Sequence, residues 1–232
     1  MRFALAMLLF AAPALAQDEL PEPAAGGEPQ LQKKVGYCLG LDLGKRLRED
    51  EAPIDLTSIV AGLRDGLSGA DPMLSEEEIT AVMGQFRQLM QKKAEAKMAQ
   101  IASENLARGE AFLKENGAKE GIQTTESGLQ YRVVEEGDGA SPGPSDTVRC
   151  HYEGKLINGE IFDSSIQRGE PAEFPVNRVI AGWTEALQKM KTGAKWEVFL
   201  PADIAYGPSG AGGAIGPNET LIFQIELIDI VD

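Results

Sequence analysis

Histidine is almost absent from this chain: His151 is the only one in 232 residues, and cysteine occurs only at Cys38 and Cys150. A single imidazole leaves no second His for a Ser-His-Asp or Cys-His arrangement. Too few Cys and His are available to close a zinc site. His151 also lies between Cys150 and Tyr152, so strand alternation turns it to solvent, away from their face. Basic residues are outnumbered, 22 Lys and Arg against 36 Asp and Glu, for a formal net charge of -14. That balance excludes binding to a phosphate backbone, which needs clustered cations. Residues 207–216 are rich in glycine but lack the Lys of a phosphate loop. The acid run at 76–78 carries helix-start charges, not a catalytic carboxylate pair. No apolar run reaches the roughly 20 residues of a membrane span. The expectation is therefore no metal, no cofactor, no nucleic acid and no membrane insertion.

What is present begins with a processing signal. Arg2 is followed by apolar residues through Ala14, interrupted by Pro13, and Ala14-Leu15-Ala16 forms an A-x-A cleavage site. Residues 1–16 are read as a signal peptide, with a retained N-terminal anchor as the alternative. Export to a bacterial periplasm follows, with outer-membrane association left open. Residues 17–30, rich in Pro, Gly, Ala and acid, read as a disordered leader. Export permits a disulfide, yet Cys38 and Cys150 fall in different regions. Both are expected to be buried and unbridged, an intersubunit bridge through Cys38 being the alternative.

Residues 31–116 show helical spacing. Leu31, Val35, Leu39 and Leu43 form one stripe. Asp55 can cap a second helix bearing Ile59, Val60, Leu63 and Leu67. Ser75 and Glu78 form a capping box that opens a third, much longer helix, which Asn116-Gly117 ends. About 40 residues of helix would span ~60 Å. Its second half, rich in Ala, Lys, Glu and Gln, is expected to stand in solvent as a stalk. The apolar surface of the short helices exceeds what one hairpin hides, so a homodimer through this region is expected, with an intramolecular three-helix bundle as the alternative.

After a linker at 117–123 the period changes to two. Leu129, Tyr131 and Val133 alternate, as do Val148, Cys150 and Tyr152; Trp196 and Val198 follow, then Leu221, Phe223, Ile225 and Leu227. One short helix, roughly 178–190, interrupts the strands. Residues 124–232 thus read as an antiparallel sheet wrapped on a helix, and the whole chain as α+β.

The aromatic and apolar residues here recur in short contexts: Tyr152 in HYEG, Phe162 and Asp163 in IFDSS, Val179, Ile180 and Trp183 in VIAGW, Tyr206 in AYG, and Phe223 in TLIF. Such a set can grip an apolar group and exclude water without covalent chemistry. These stretches, in this order, resemble the FKBP-type peptidyl-prolyl cis-trans isomerases. The helical part, through GLDLG at 40–44, GLRDG at 62–66 and LSEEE at 74–78, is similar to the dimerisation region of the macrophage infectivity potentiator-like bacterial subgroup.

The resemblance implies a proline pocket with Trp183 as floor and Tyr152, Phe162, Val179, Ile180 and Phe223 as walls. It implies that the Tyr206 hydroxyl and the Ile180 backbone N–H bond substrate carbonyls. Asp163 would lie by the twisting amide with Arg168 as its ion partner, and Ile215 would come from a flexible loop over the pocket. This chain has Ala172 where small single-domain members have a Phe wall, and residues 210–213 where they carry a loop His, so a wider pocket is expected. Partners would be unfolded or partly folded proteins with X-Pro bonds, with macrolides as inhibitors. The alternatives are a periplasmic holdase chaperone, in which isomerisation is secondary, and a docking module with a dead pocket.

Overall fold

A computed structural model describes residues 28–231; the expected signal peptide and most of the expected leader lie outside the described residues. The described residues form two compact units that part between Thr80 and Ala81.

In the first unit, α1 (Glu28–Glu49) opens three residues ahead of the expected Leu31. Helix α2 (Leu56–Ser68) is capped as its sequence requires. Asp55 accepts from the Ser58 backbone N–H at 2.7 Å, and Gly69 closes the helix in the left-handed region at φ 67°. Helix α3 (Glu76–Gly117) starts on the expected capping box, with Ser75 N–H donating to Glu78 at 2.9 Å and Glu78 N–H to Ser75 Oγ at 3.3 Å. Neither α1 nor α2 buries a single residue. The stripe Leu31, Val35, Leu39 and Leu43 is exposed throughout, and so is Cys38, contrary to the expectation of burial.

The second unit is built on an antiparallel sheet. In chain order its strands are β1 (Gln123–Thr124), β2 (Gln130–Glu135), β3 (Thr147–Leu156), β4 (Ile161–Ser164), β5 (Ala172–Pro175), β6 (Lys195–Leu200) and β7 (Leu221–Val231). The spatial order is β1-β2-β6-β7-β3-β4, with β5 also paired to β3. A four-residue helix α4 (Ser165–Arg168) follows β4, and α5 (Ala181–Lys189) lies between β5 and β6. Alternation decides which face is core: Val148, Cys150, Tyr152 and Leu156 of β3 are buried with Leu221, Phe223, Ile225 and Leu227 of β7. Trp183, Ala186 and Leu187 of α5 fill the space beneath them. Gly182 lets that helix approach, since a Cβ there would lie 2.6 Å from a Leu200 methyl. Burial pushes the Cys150 thiol up to about 12, so it behaves as a small apolar residue. His151 is half-buried, not solvent-facing, its Nδ1 lying 3.2 Å from Ser165 Oγ.

The solvent-standing stalk fails for the last four turns of α3. Asn105, Gly109 and Asn116 are its buried residues, and Phe112 meets Phe199 with ring centroids 5.9 Å apart. Phe199 and its register partner Ile222 point to the sheet face opposite the core, and both are buried. The contact eluded the apolar period because two amides and a glycine carry it. Asn116 Nδ2 donates to Gln130 Oε1 at 3.0 Å, and Gln130 Nε2 donates to the Leu113 carbonyl at 2.8 Å.

A Cβ on Gly109 would lie 2.3 Å from Thr220 Oγ1. Gly109→Leu is therefore expected to lower the unfolding free energy of the sheet unit by about 1–3 kcal/mol, as overpacking does. Urea unfolding followed by tryptophan fluorescence checks this, and an unchanged midpoint would mean that the helix end is not docked.

Candidate functional site

The cavity of interest lies where β3, β4, β5, β7 and the start of α5 converge. It has a volume of about 450 Å³ and is lined by Tyr152, Phe162, Asp163, Phe174, Arg178, Val179, Ile180, Trp183, Tyr206 and Phe223. Its position follows from register. Gly154 of β3 stands opposite Phe223 of β7 on one side and Asp163 of β4 on the other. A Cβ on Gly154 would come within 2.6 Å of Phe223 and of Phe162, so only glycine lets these two rings meet. They do so edge to face, at 5.5 Å and 84°.

Trp183 forms the floor. Tyr152 and Phe223 meet its ring at 5.3 Å and Phe174 at 5.5 Å, all near perpendicular. Three rings set at near right angles thus hold the indole, which lines the cavity. Trp183 is only 4% exposed, and its Nε1 has no hydrogen-bond partner among the described residues. The segment before α5 is pinned by Thr184 Oγ1 donating to the Val176 carbonyl at 2.6 Å. Ile180 caps α5 with an extended backbone, φ -59° and ψ 151°. As for other first-turn amides, no carbonyl among the described residues accepts from its N–H.

One wall is charged. The Tyr152 hydroxyl donates to Asp163 Oδ2 at 2.5 Å, Arg168 Nη1 donates to Asp163 Oδ1 at 2.5 Å, and Arg168 Nη2 donates to the Tyr152 oxygen at 2.9 Å. The guanidinium also sits 5.6 Å from the centre of the Tyr152 ring. Helix α4 presents Arg168 because Ser164 caps it, accepting from Gln167 N–H at 3.1 Å. Buried Ser165 ties it to β3, accepting from the Tyr152 N–H at 2.8 Å. Partial burial raises the Asp163 carboxyl, but the Tyr152 and Arg168 donors outweigh it and hold the group below its ordinary range. Burial raises the Tyr152 phenol, and its bond to Asp163 raises it further. The same bonds raise the Arg168 guanidinium. At neutral pH the wall is therefore a carboxylate, a neutral phenol and a guanidinium.

Eight of the ten residues singled out from sequence line this one cavity: Tyr152, Phe162, Asp163, Val179, Ile180, Trp183, Tyr206 and Phe223. Arg168 stands behind the lining and reaches it through Asp163 and Tyr152. Ile215 does not line the cavity. Its backbone pairs with Ala211 in both directions, and its side chain is buried in the core cluster. Phe174 and Arg178 were missed. Phe174 shares an alternating face with Ala172 on a four-residue strand, too short a pattern to read, and its burial against Trp183 is decided by β5 pairing with β3.

Two family models match the chain: FKBP-type peptidyl-prolyl cis-trans isomerase over residues 139–228, and the domain amino-terminal to it over residues 32–133. An outer membrane protein MIP of Legionella longbeachae is 49% identical over 197 residues, covering 85% of this chain and 84% of that protein. The FKBP-type 22 kDa peptidyl-prolyl cis-trans isomerase of Escherichia coli K12 is 44% identical over 202 residues, covering 87% and 96%. The crystal structure of FkpA from Escherichia coli superposes with a TM-score of 0.78 at 36% identity, over 88% of this chain and 97% of that one.

The folded Asp163 carboxyl is depressed, so its contribution to stability is present above the ordinary carboxylate value of about 3.9 and is lost as pH falls through the folded value. Arg168→Ala and Tyr152→Phe should each move the Asp163 midpoint upward in a carboxyl ¹³C titration. A midpoint that stays put in both would mean the three side chains are not coupled in solution.

Proposed function

The chain belongs to the FKBP-type peptidyl-prolyl cis-trans isomerases, and from that membership we propose how its own residues carry out the reaction. It is a peptidyl-prolyl cis-trans isomerase acting on protein substrates. Rotation about the peptide bond faces a barrier of ~18–20 kcal/mol because resonance gives the C–N bond double-bond character. At the twisted transition state resonance is lost, and the carbonyl is less polar than in the planar, well-hydrated ground state. A dry apolar cavity favours the twisted state, and only such differential binding accelerates the step.

The observation that carries the assignment is the Trp183 floor met at near right angles by Tyr152, Phe174 and Phe223. The proline ring would lie on Trp183, between Phe162, Val179 and Phe223. The Tyr206 hydroxyl and the Ile180 N–H would donate to the carbonyls flanking it, since neither has another acceptor among the described residues. Asp163, kept ionised by Arg168 and Tyr152, would face the twisting amide. Macrolides that can seat an apolar group on Trp183 are expected to inhibit.

The helical region, 31–116, serves dimerisation in this reading. Support comes from exposed apolar residues on all three helices: Leu31, Val35 and Leu39 on α1, Leu63 and Leu67 on α2, Val82 and Met83 on α3. Between α2 and the start of α3 lies an apolar cavity of about 690 Å³ lined by residues such as Ala61, Met73, Leu74 and Ile79. A second copy would cover these faces, and with them Cys38. The mature protein is proposed to work in the periplasm on exported clients. That rests on the signal segment and on a relative named as an outer membrane protein; no helix among the described residues is long and apolar enough to cross a membrane.

Trp183→Ala should lower kcat/KM on a proline tetrapeptide by roughly fourfold to sixtyfold, taking about 0.8 kcal/mol for each of one to three proline-ring CH₂ groups that lose their apolar contact. Turnover at the wild-type rate, in a variant shown to be folded, would remove the pocket assignment. In analytical ultracentrifugation the mature chain should sediment as a dimer and a fragment beginning at Ala81 as a monomer. A monomeric mature chain would refute the role given to the helices.

A further inference from the structure

The cavity wall formed by Tyr206 has no side-chain anchor of its own. Its phenol makes no hydrogen bond among the described residues and is 40% exposed, so its position is set by the backbone that bears it. That backbone runs directly into the glycine-rich loop. Ala211 and Ile215 pair within the loop, and its base is closed by the Asn218 N–H, which donates to the Gly207 carbonyl, next to Tyr206, at 2.8 Å. Asn218 is itself held in the left-handed region, at φ 54°. Asparagine tolerates this conformation better than most residues but does not prefer it.

What holds residues 217–219 there is helix α3. Asn105 Nδ2 donates to the Pro217 carbonyl at 2.8 Å, and Asn218 Nδ2 donates to the Ala102 carbonyl at 3.3 Å. Arg108 Nη2 donates to Asn105 Oδ1 at 2.9 Å and to Glu219 Oε1 at 3.0 Å. Asn105 is 5% exposed and Glu219 9%, so the centre of this polar set is shielded, while Asn218 is half-buried and Arg108 reaches water. Gly216 permits the approach, because a Cβ there would come within 3.2 Å of Asn105 Nδ2. A buried amide bonded through both its nitrogen and its oxygen favours one arrangement of the groups around it, and cutting one bond leaves its partner unsatisfied.

We propose that Asn105, with Arg108, is a positioning residue for the isomerase reaction: α3 clamps residues 217–219 and, through the Asn218–Gly207 contact, aims the Tyr206 hydroxyl at the substrate carbonyl. The end of the helix is then part of the catalytic unit, although no residue of α3 lines the cavity. The inference rests on the assignment of Tyr206 as a donor to substrate, made above.

A double-mutant cycle in the full mature chain tests it, using kcat/KM on a proline tetrapeptide well below the unfolding temperature. Tyr206→Phe and Asn105→Ala should each lower kcat/KM by roughly twofold to tenfold, the worth of one hydrogen bond. The double variant should be no slower than Tyr206→Phe alone, since the clamp acts only through that hydroxyl. Arg108→Ala, which removes a half-exposed side chain, should show the same dependence on Tyr206 and tests the clamp even if Asn105→Ala folds poorly. Asn116→Ala cuts the other buried amide contact of α3 and should lower the unfolding midpoint while leaving kcat/KM unchanged. Additive losses in the double variants, or a loss in Asn116→Ala equal to that in Asn105→Ala, would overturn the proposal. A Tyr206→Phe enzyme as active as wild type would instead remove the Tyr206 assignment on which it stands.

Discussion

Strand β3 pairs with β7 along its whole length on one side, and on the other with β5 through Thr147–Cys150 and with β4 through Glu153–Lys155. A strand shared by three partners sets the register of all of them, and a one-residue slip would turn every side chain to the opposite face. Here the consequence is local and severe. Tyr152 must point inward to meet Trp183, and Gly154 must stand where Phe162 and Phe223 touch. Moved by one position, β3 would bring His151 and Glu153 into the core and dismantle the floor and one wall together.

The charged wall depends on the same strand. Among the described residues Tyr152 joins the aromatic box to the ion pair, touching Trp183 through its ring and Asp163 through its hydroxyl. That double role lets a carboxylate stand at the edge of an apolar cavity without being neutralised by its surroundings. An exposed Asp–Arg pair alone is worth little. A phenol held from below by packing adds a donor that does not have to be ordered separately.

The two units follow different physics. The sheet unit carries its own core, with nineteen buried residues in one cluster, and can hold a cavity to a defined shape. Among the described residues the first two helices bury nothing and keep their apolar faces free, as the proposed pairing with a second copy requires. Helix α3 belongs to both, starting beside α2 and ending on the back of the sheet. Its junction with the sheet is polar, made of amides, a glycine and one aromatic pair. Hydrogen bonds at such a junction give a directed contact where an apolar one would tolerate sliding.

Much of this was legible in the residues. The caps at Asp55 and at Ser75 with Glu78, the switch from a period of 3.6 to one of two, and the motif contexts around Tyr152, Phe162, Trp183, Tyr206 and Phe223 are local patterns, set by backbone hydrogen bonding and strand alternation. Less legible was whatever depends on residues distant in the chain. Phe174 joins the cavity because β5 pairs with β3, and Ile215 leaves it because its loop folds inward. The docked end of α3 shows no apolar stripe, since Asn105, Gly109 and Asn116 are polar or small and acquire meaning only opposite Pro217, Thr220 and Gln130. By itself the sequence determined most of the secondary elements and the α+β class, because periodicity is a property of neighbouring positions, and it pointed to most of the cavity residues through the resemblance of its motifs to a known family. Only the tertiary structure decided how Tyr152, Asp163 and Arg168 hydrogen-bond one another and which helix holds the loop behind Tyr206, because those contacts join segments whose separation along the chain carries no trace of their distance in space.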